Sequence, residues 1–210
     1  MRKLVVFLML AGAACAADLA VLQLPKPETK GGMPLMQALV ARQSGREFSP
    51  EKLSPQMLSN LLWAAYGVNR PDGRRTAPSA NNRQTVEIYA ALSDGVYLYN
   101  AREHRLEPVA SGDLRAATGV QPFVAEAPLN LVYVSDYAKM ASNSDADKAL
   151  YAAAETGFIG QNVYLFCASE GLSTVVRAMV NREALGKALK FKPDQRITLA
   201  QTVGYPKRAK

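Results

Sequence analysis

The apolar and polar positions alternate along the chain in blocks that each predict one element. A short apolar run from Met33 to Val40 has helical spacing at Leu35, Leu39 and Arg42, so a helix is expected from Pro34 to Arg42. Ser54 precedes Pro55, and Met57, Leu58, Leu61, Leu62 and Ala65 then share one face up to Gly67. That is a capped helix with proline in its first turn and glycine at its end. Val86–Leu92 and Val96–Tyr99 read as two strands of a hairpin through Ser93-Asp94-Gly95, and Leu106–Val109 as a third. Leu129–Ser135 is a buried-strand run. Asp145–Glu170 is a long helix that looks apolar on nearly every side, which predicts burial in a core or at a subunit interface. Small residues at Ala149, Ala153, Gly157 and Gly160 would let another helix approach it. A strand at Ser173–Met179, a short helix at Arg182–Leu189 and a strand at Ile197–Val203 complete the series.

The first residues follow a different pattern. Arg2 and Lys3 precede the apolar stretch Leu4–Leu10, and small residues lead to Ala14-Cys15-Ala16. This is the order of a secretory signal, with cleavage expected after Ala16. It leads to an exported protein, periplasmic or secreted. A lipoprotein built on Cys15 is the rival, disfavoured because Gly12 stands where such signals carry a larger aliphatic residue. Residues 17–33 form an extended arm, since Leu24-Pro25-Lys26-Pro27 resists helix and Gly31-Gly32 loosens the chain. Residues 34–210 form one domain.

Cleavage changes the arithmetic of composition. Lysine plus arginine fall from 25 to 23 against 18 acids, a net charge of +5. That excess is spread along the chain with no basic block interleaved with aromatics, so nucleic acid is not an expected partner. Cys167 alone remains after cleavage, so no internal disulfide is available and the core must carry the fold. Cys167 has no basic neighbour in sequence and reads as a small buried hydrophobe. His104, the single histidine, reads as a solvated residue in a charged turn, and no metal-ligand spacing exists around it. Glu155 and Gln161 read as satisfied core polar groups.

Two polar stretches could carry chemistry. Arg42-Gln43-Ser44-Gly45-Arg46-Glu47-Phe48 holds two arginines four apart, a hydroxyl between them and a glycine for close backbone approach. Guanidinium forks and a hydroxyl match phosphate oxygens; the plainer alternative is a solvated basic turn. Ala77-Pro78-Ser79-Ala80-Asn81-Asn82-Arg83-Gln84 precedes a strand and offers amides that both donate and accept, suited to the edge of a planar heterocycle. The plainer alternative here is a turn.

Ala41–Phe48 together with Arg75-Thr76-Ala77-Pro78-Ser79-Ala80 resembles the nitroreductase superfamily of FMN-dependent oxidoreductases. Leu61–Gly67, Gly95–Asn100 and His104-Arg105-Leu106-Glu107 are similar to the branch that oxidises azoline rings in thiazole/oxazole-modified peptides. The resemblance runs from Pro34 to the end. It implies an α+β, nitroreductase-like fold: a central, mostly antiparallel sheet flanked by helices, with the long helix at the interface of a homodimer and FMN nearby. It implies that Arg42, Gln43, Ser44 and Arg46 hold the phosphate and ribityl chain of FMN. It also implies that Pro78, Ser79, Asn82 and Gln84 lie against the flavin, and that Lys207 or Arg208 after Gly204-Tyr205-Pro206 reaches the phosphate. Arg177-Ala178-Met179 departs from the family, which often has a glycine there.

The function expected is hydride transfer to or from a small organic substrate. The flavin carries the chemistry, so no catalytic side chain and no metal ligand is named. NAD(P)H is the electron donor if it is available to an exported protein, and no GxGxxG implies a separate nicotinamide domain. The alternative is a degenerate binding module of the same fold that has lost flavin.

Overall fold

The computed structural model describes residues 19–207, so the expected signal segment 1–16 and Arg208 lie outside the described residues. The strands are β1 (Leu22–Gln23), β2 (Val86–Ala91), β3 (Gly95–Asn100), β4 (Arg105–Ser111), β5 (Leu129–Asp136), β6 (Ser173–Arg177) and β7 (Gln195–Gly204). The helices are α1 (Leu35–Ala41), α2 (Pro55–Tyr66), α3 (Phe123–Glu126), α4 (Asp145–Ser169) and α5 (Arg182–Ala188). The seven strands form one sheet in the order β1-β4-β3-β2-β5-β7-β6, with every neighbouring pair antiparallel.

Local chemistry sets the element ends. The Ser54 side chain accepts from Met57 N at the start of α2, and Gly67 closes it. Ser144 caps α4 by accepting from Asp147 N, with Asp145 and Asp147 in the first turn, where the helix dipole favours negative charge. The β2–β3 hairpin closes through Leu92 N to Gly95 O at 2.8 Å.

The sheet is covered on both faces, and β5 shows this most directly. Leu131 and Tyr133 enter the larger core with Leu61, Leu62, Tyr66, Ile159 and Val163 of α2 and α4. Val132 and Val134 enter the second core with Leu185, Leu189 and Ile197. Side chains alternate across a strand, so a strand buried on both faces reads as a continuous apolar run. Cys167 is buried in the larger core, and burial pushes its thiol pKa up.

The arm is tied down along its length. Leu22 of β1 pairs with Leu106 of β4. Ser59 Oγ donates to Pro25 O at 2.6 Å, Gln56 Nε2 donates to Lys26 O at 3.0 Å, and Met33 N donates to Ser169 Oγ at 2.7 Å.

Three expectations are corrected. His104 is half-buried rather than a freely solvated turn residue: its Nε2 lies 2.7 Å from Ser59 Oγ and its Nδ1 3.0 Å from Tyr99 OH, and burial lowers its pKa. The arm and α2 close over the charged turn, which no local pattern foretold. Gln161 is an exposed residue rather than a core polar group. It falls on the outward arc of α4, one helical step past buried Gly160. The α4 helix itself buries one face, through Ala152, Glu155, Thr156, Ile159, Gly160, Val163, Tyr164 and Cys167. Its other face leaves Leu150 and Phe158 exposed, and α1 likewise exposes Leu35, Met36, Leu39 and Val40.

Candidate functional site

The arginine stretch begins where α1 ends, with Arg42 as its cap. From there the chain runs extended beside the edge strand β6, and Gly45 N donates to Thr174 O at 2.9 Å. Glycine suits this approach: a Cβ at position 45 would overlap Ser173 Oγ, which would have to turn away, and lie 3.3 Å from Ser173 Cβ. Phe48 forms a bridge with Pro206, and Lys207 N donates to Glu47 O at 3.3 Å. The C-terminal turn is therefore laid against the arginine stretch by backbone pairing.

Tyr164 of α4 stands behind this stretch. The Arg42 guanidinium lies over its ring, 5.3 Å from the centroid, a favourable cation–π placement. Its hydroxyl oxygen accepts from Val176 N at 3.0 Å and lies 2.8 Å from Ser44 Oγ. With its oxygen already accepting, the tyrosine proton is best placed on Ser44 Oγ, which frees the serine proton for another acceptor. Gln43 and Arg46 are exposed. Among the described residues, no carboxylate lies within ion-pair distance of Arg42, Arg46 or Lys207. Lys207 lines a half-open cleft of about 580 Å³ with Phe48, Lys52, Arg115 and Glu126.

The second stretch is built differently. Ala80–Asn82 forms one turn of 3-10 type, and Asn81, Asn82 and Gln84 hold φ near +50°. Ser79 Oγ donates to Glu155 Oε2 at 2.9 Å and accepts from Gln84 N at 2.8 Å. The Gln84 side chain accepts from Arg75 Nε at 3.0 Å and donates to Gly73 O and Asn82 Oδ1, each at 3.0 Å. Pro78 and Asn82 are exposed.

Glu155 is the hub beneath this loop. Its Oε2 also accepts from Thr85 Oγ1 at 2.8 Å and Thr85 N at 3.3 Å, and its Oε1 accepts from Val86 N at 3.1 Å and from Tyr66 OH. The Arg75 guanidinium sits 4.3 Å from the Tyr66 ring centroid. Burial first, then the neighbouring Glu155 charge, holds the Tyr66 pKa well above the ordinary phenol range. Burial pulls the Arg75 pKa down, and the nearby Tyr66 opposes this.

Arg177 points to neither stretch. It is buried and donates to Thr202 Oγ1 at 2.9 Å, Thr118 O at 2.9 Å and Asn130 Oδ1 at 3.2 Å. All three acceptors are neutral, and burial lowers its pKa to about 10. It ties β6 to the loop before α3. The strand also ends at Arg177, not at Met179 as expected.

The sequence reading missed Tyr164, Arg75 and Thr85 as supports of these stretches. Tyr164 carries no sequence signal beyond bulk in an apolar helix, and Arg75 is one arginine among several in a polar loop. The donor set fits an anionic cofactor: two guanidiniums and a hydroxyl, without acidic partners among the described residues, flank a glycine whose backbone lies close to Ser173. Such a set suits the phosphate of FMN. Among the described residues, no group of three or more His, Cys, Asp and Glu could hold a metal ion. No described helix is long and apolar enough to cross a membrane.

Comparison with known proteins agrees with this architecture. The nitroreductase family model matches residues 39–205. A candidate nitroreductase of Methanocaldococcus jannaschii is 32% identical over 185 residues, covering 83% of this chain and 92% of the relative. The crystal structure of a candidate nitroreductase from Ralstonia eutropha superposes with a TM-score of 0.86 at 42% identity, covering 90% of each chain. Two more distant structures share the fold. One is a chain of the E. coli microcin synthetase complex with TM-score 0.69 and 21% identity, covering 99% of this chain and 85% of that one. The other is the NADPH:FMN oxidoreductase of Vibrio harveyi with TM-score 0.62 and 20% identity, covering 83% and 69%. With an antiparallel sheet, a glycine pressed on its edge strand and a family match across most of its length, the chain belongs to the nitroreductase family.

Proposed function

We propose that this protein is an exported FMN-dependent oxidoreductase that passes hydride to or from a small organic substrate. The observation that carries the proposal is the Arg42–Ser44–Arg46 stretch: cationic, without carboxylate partners among the described residues, and backed by Tyr164. Arg42, Gln43, Ser44 and Arg46, with Lys207 and Arg208, neutralise and hold the phosphate and ribityl chain. Pro78 and Asn82 lie against the flavin, while Ser79 and Gln84 hold their loop in shape. FMN supplies the redox chemistry when bound, and the protein supplies orientation and electrostatics. The electron donor is NAD(P)H where the compartment provides it; the Vibrio harveyi relative is an NADPH:FMN oxidoreductase crystallised with NAD+.

The working unit is a homodimer with FMN near the interface. Two features support this. Leu35, Met36, Leu39 and Val40 of α1 and Leu150 and Phe158 of α4 are exposed apolar side chains that a second chain would cover. Tyr164 and Glu155, which back the two polar stretches, are nine positions apart on α4, about 13–14 Å of helix rise. A second chain is a simple way to bring an open stretch of each kind to one ligand. Export follows from the charged, apolar and small-residue order of residues 1–16.

The test is the visible spectrum of the mature protein, as purified and after incubation with FMN. Flavin bands that stay with the protein through gel filtration are expected. Arg46→Ala should weaken FMN retention while the melting temperature stays unchanged. A colourless protein that rejects added FMN would leave the degenerate binding module.

A further inference from the structure

We infer that Glu155 is a positioning residue for the flavin: from α4 it clamps the Pro78–Gln84 loop into its binding shape without touching the ligand. This rests on the flavin reading above for the ligand, but not for the clamp.

The loop is one that the chain would not adopt alone. Asn81, Asn82 and Gln84 sit at φ 53°, 54° and 50°. Left-handed backbone is uncommon outside glycine; asparagine tolerates it, and glutamine less so. Three such residues among four persist only where the surroundings over-determine them, and such clusters occur at ligand-binding sites.

Here one buried carboxylate bonds both ends of the loop, while Arg75 and Lys139 hold Gln84 from outside. Glu155 is 3% exposed. It accepts from Ser79 at the start of the loop and from Thr85 and Val86 after its end. Both ends are thus pinned to one group on a 25-residue helix. Ser79 Oγ then passes the constraint inward by accepting from Gln84 N. Arg75 fixes the Gln84 side chain from the other side.

The geometry also explains why the residue is an acid. All five groups that face it are donors, and a carboxylate is a pure acceptor. In Glu155→Gln one oxygen becomes an NH2 group. The hydroxyls of Ser79, Thr85 and Tyr66 can rotate to accept from it, but the backbone N–H of Thr85 or Val86 cannot. Whichever way the amide turns, one backbone donor next to the loop loses its partner.

Hydrogen exchange by mass spectrometry on the full mature chain, without ligand, reads the clamp directly. Thr156→Val is the matched control: Thr156 lies one residue along the same helix, and the change removes a half-buried 2.8 Å hydroxyl contact to Thr198 of β7, with no contact to the loop. In Glu155→Gln, exchange across residues 78–86 should rise about tenfold, with the β5 and β7 peptides unchanged. In Thr156→Val the loop should exchange as in the parent. FMN titration then asks whether the clamp serves the ligand: Glu155→Gln should raise the FMN Kd about tenfold, and Thr156→Val should leave it within about twofold.

Unchanged loop exchange in Glu155→Gln overturns the inference. So does faster exchange with an unaltered FMN Kd, since the loop would then be clamped for something else. A parent protein that rejects FMN overturns the proposed function and the flavin half of this inference, while the exchange data still decide the clamp.

Discussion

The two polar stretches are held by opposite means. The arginine stretch lies on the rim of the sheet, fixed by backbone pairing to β6 and to Lys207, with its charged side chains left open. The Pro78–Gln84 loop is held by side chains, through a carboxylate buried in the main core. Charged groups that await an anion must stay unpartnered, so they contribute little to stability. A loop that must present fixed amides needs its shape imposed, and burial makes the imposing hydrogen bonds costly to break. The same chain therefore separates affinity from stability by region.

The comparison breaks if the regions respond alike to mutation. The largest effect is expected for Glu155→Ala, which leaves a cavity and strands five buried or half-buried donors. Removing one partner of a buried polar network of this kind costs roughly 3–5 kcal/mol, read as a shift in urea midpoint. Gly45→Val comes next. Its branched side chain has to displace Ser173 or lift the stretch from β6, and overpacking of that kind costs about 1–3 kcal/mol. Unchanged stability in Gly45→Val would show that the stretch is not seated on the strand.

His104 lies between the extremes, half-buried and bonded to Ser59 and Tyr99. Its pKa is lowered in the fold, mainly by burial. The unfolded chain therefore binds the proton more readily. The contribution of neutral His104 is complete above the unfolded value of about 6.5 and is lost as pH falls through the lower folded value. The parent should lose more stability between neutral and mildly acidic pH than His104→Gln does. Parallel pH profiles would mean that the arm does not constrain the imidazole. Smallest of all is Arg46→Ala, within about 0.5 kcal/mol of the parent in stability, because the side chain is exposed and has no carboxylate partner among the described residues. A larger loss there would make Arg46 part of the fold rather than part of an open anion site.

What was legible in advance follows the same division. The helix starting at Pro55 was readable because Ser54, Pro55 and Gly67 are local signals that act within a few residues of themselves. The burial of β5 is legible in its apolar run Leu131-Val132-Tyr133-Val134. His104 was misjudged because its partners come from α2 and β3, and the closing arm is remote in sequence. Gln161 was misjudged because an alanine-rich helix blurs which arc faces inward. Glu155 was read as a satisfied polar group, and it is one. That its donors come from the end of a distant loop had no signature in spacing.

The sequence by itself determined most of the elements, the cap of α2, the basic stretch and its family resemblance, since each depends on neighbours along the chain. Only the tertiary structure decided which groups face one another: Tyr164 behind Ser44, Glu155 beneath Ser79 and Thr85, and Arg177 turned toward Thr118 and Asn130. The physical reason is that a buried polar atom must find a partner wherever the packed elements bring one, and that search runs across the fold rather than along the chain.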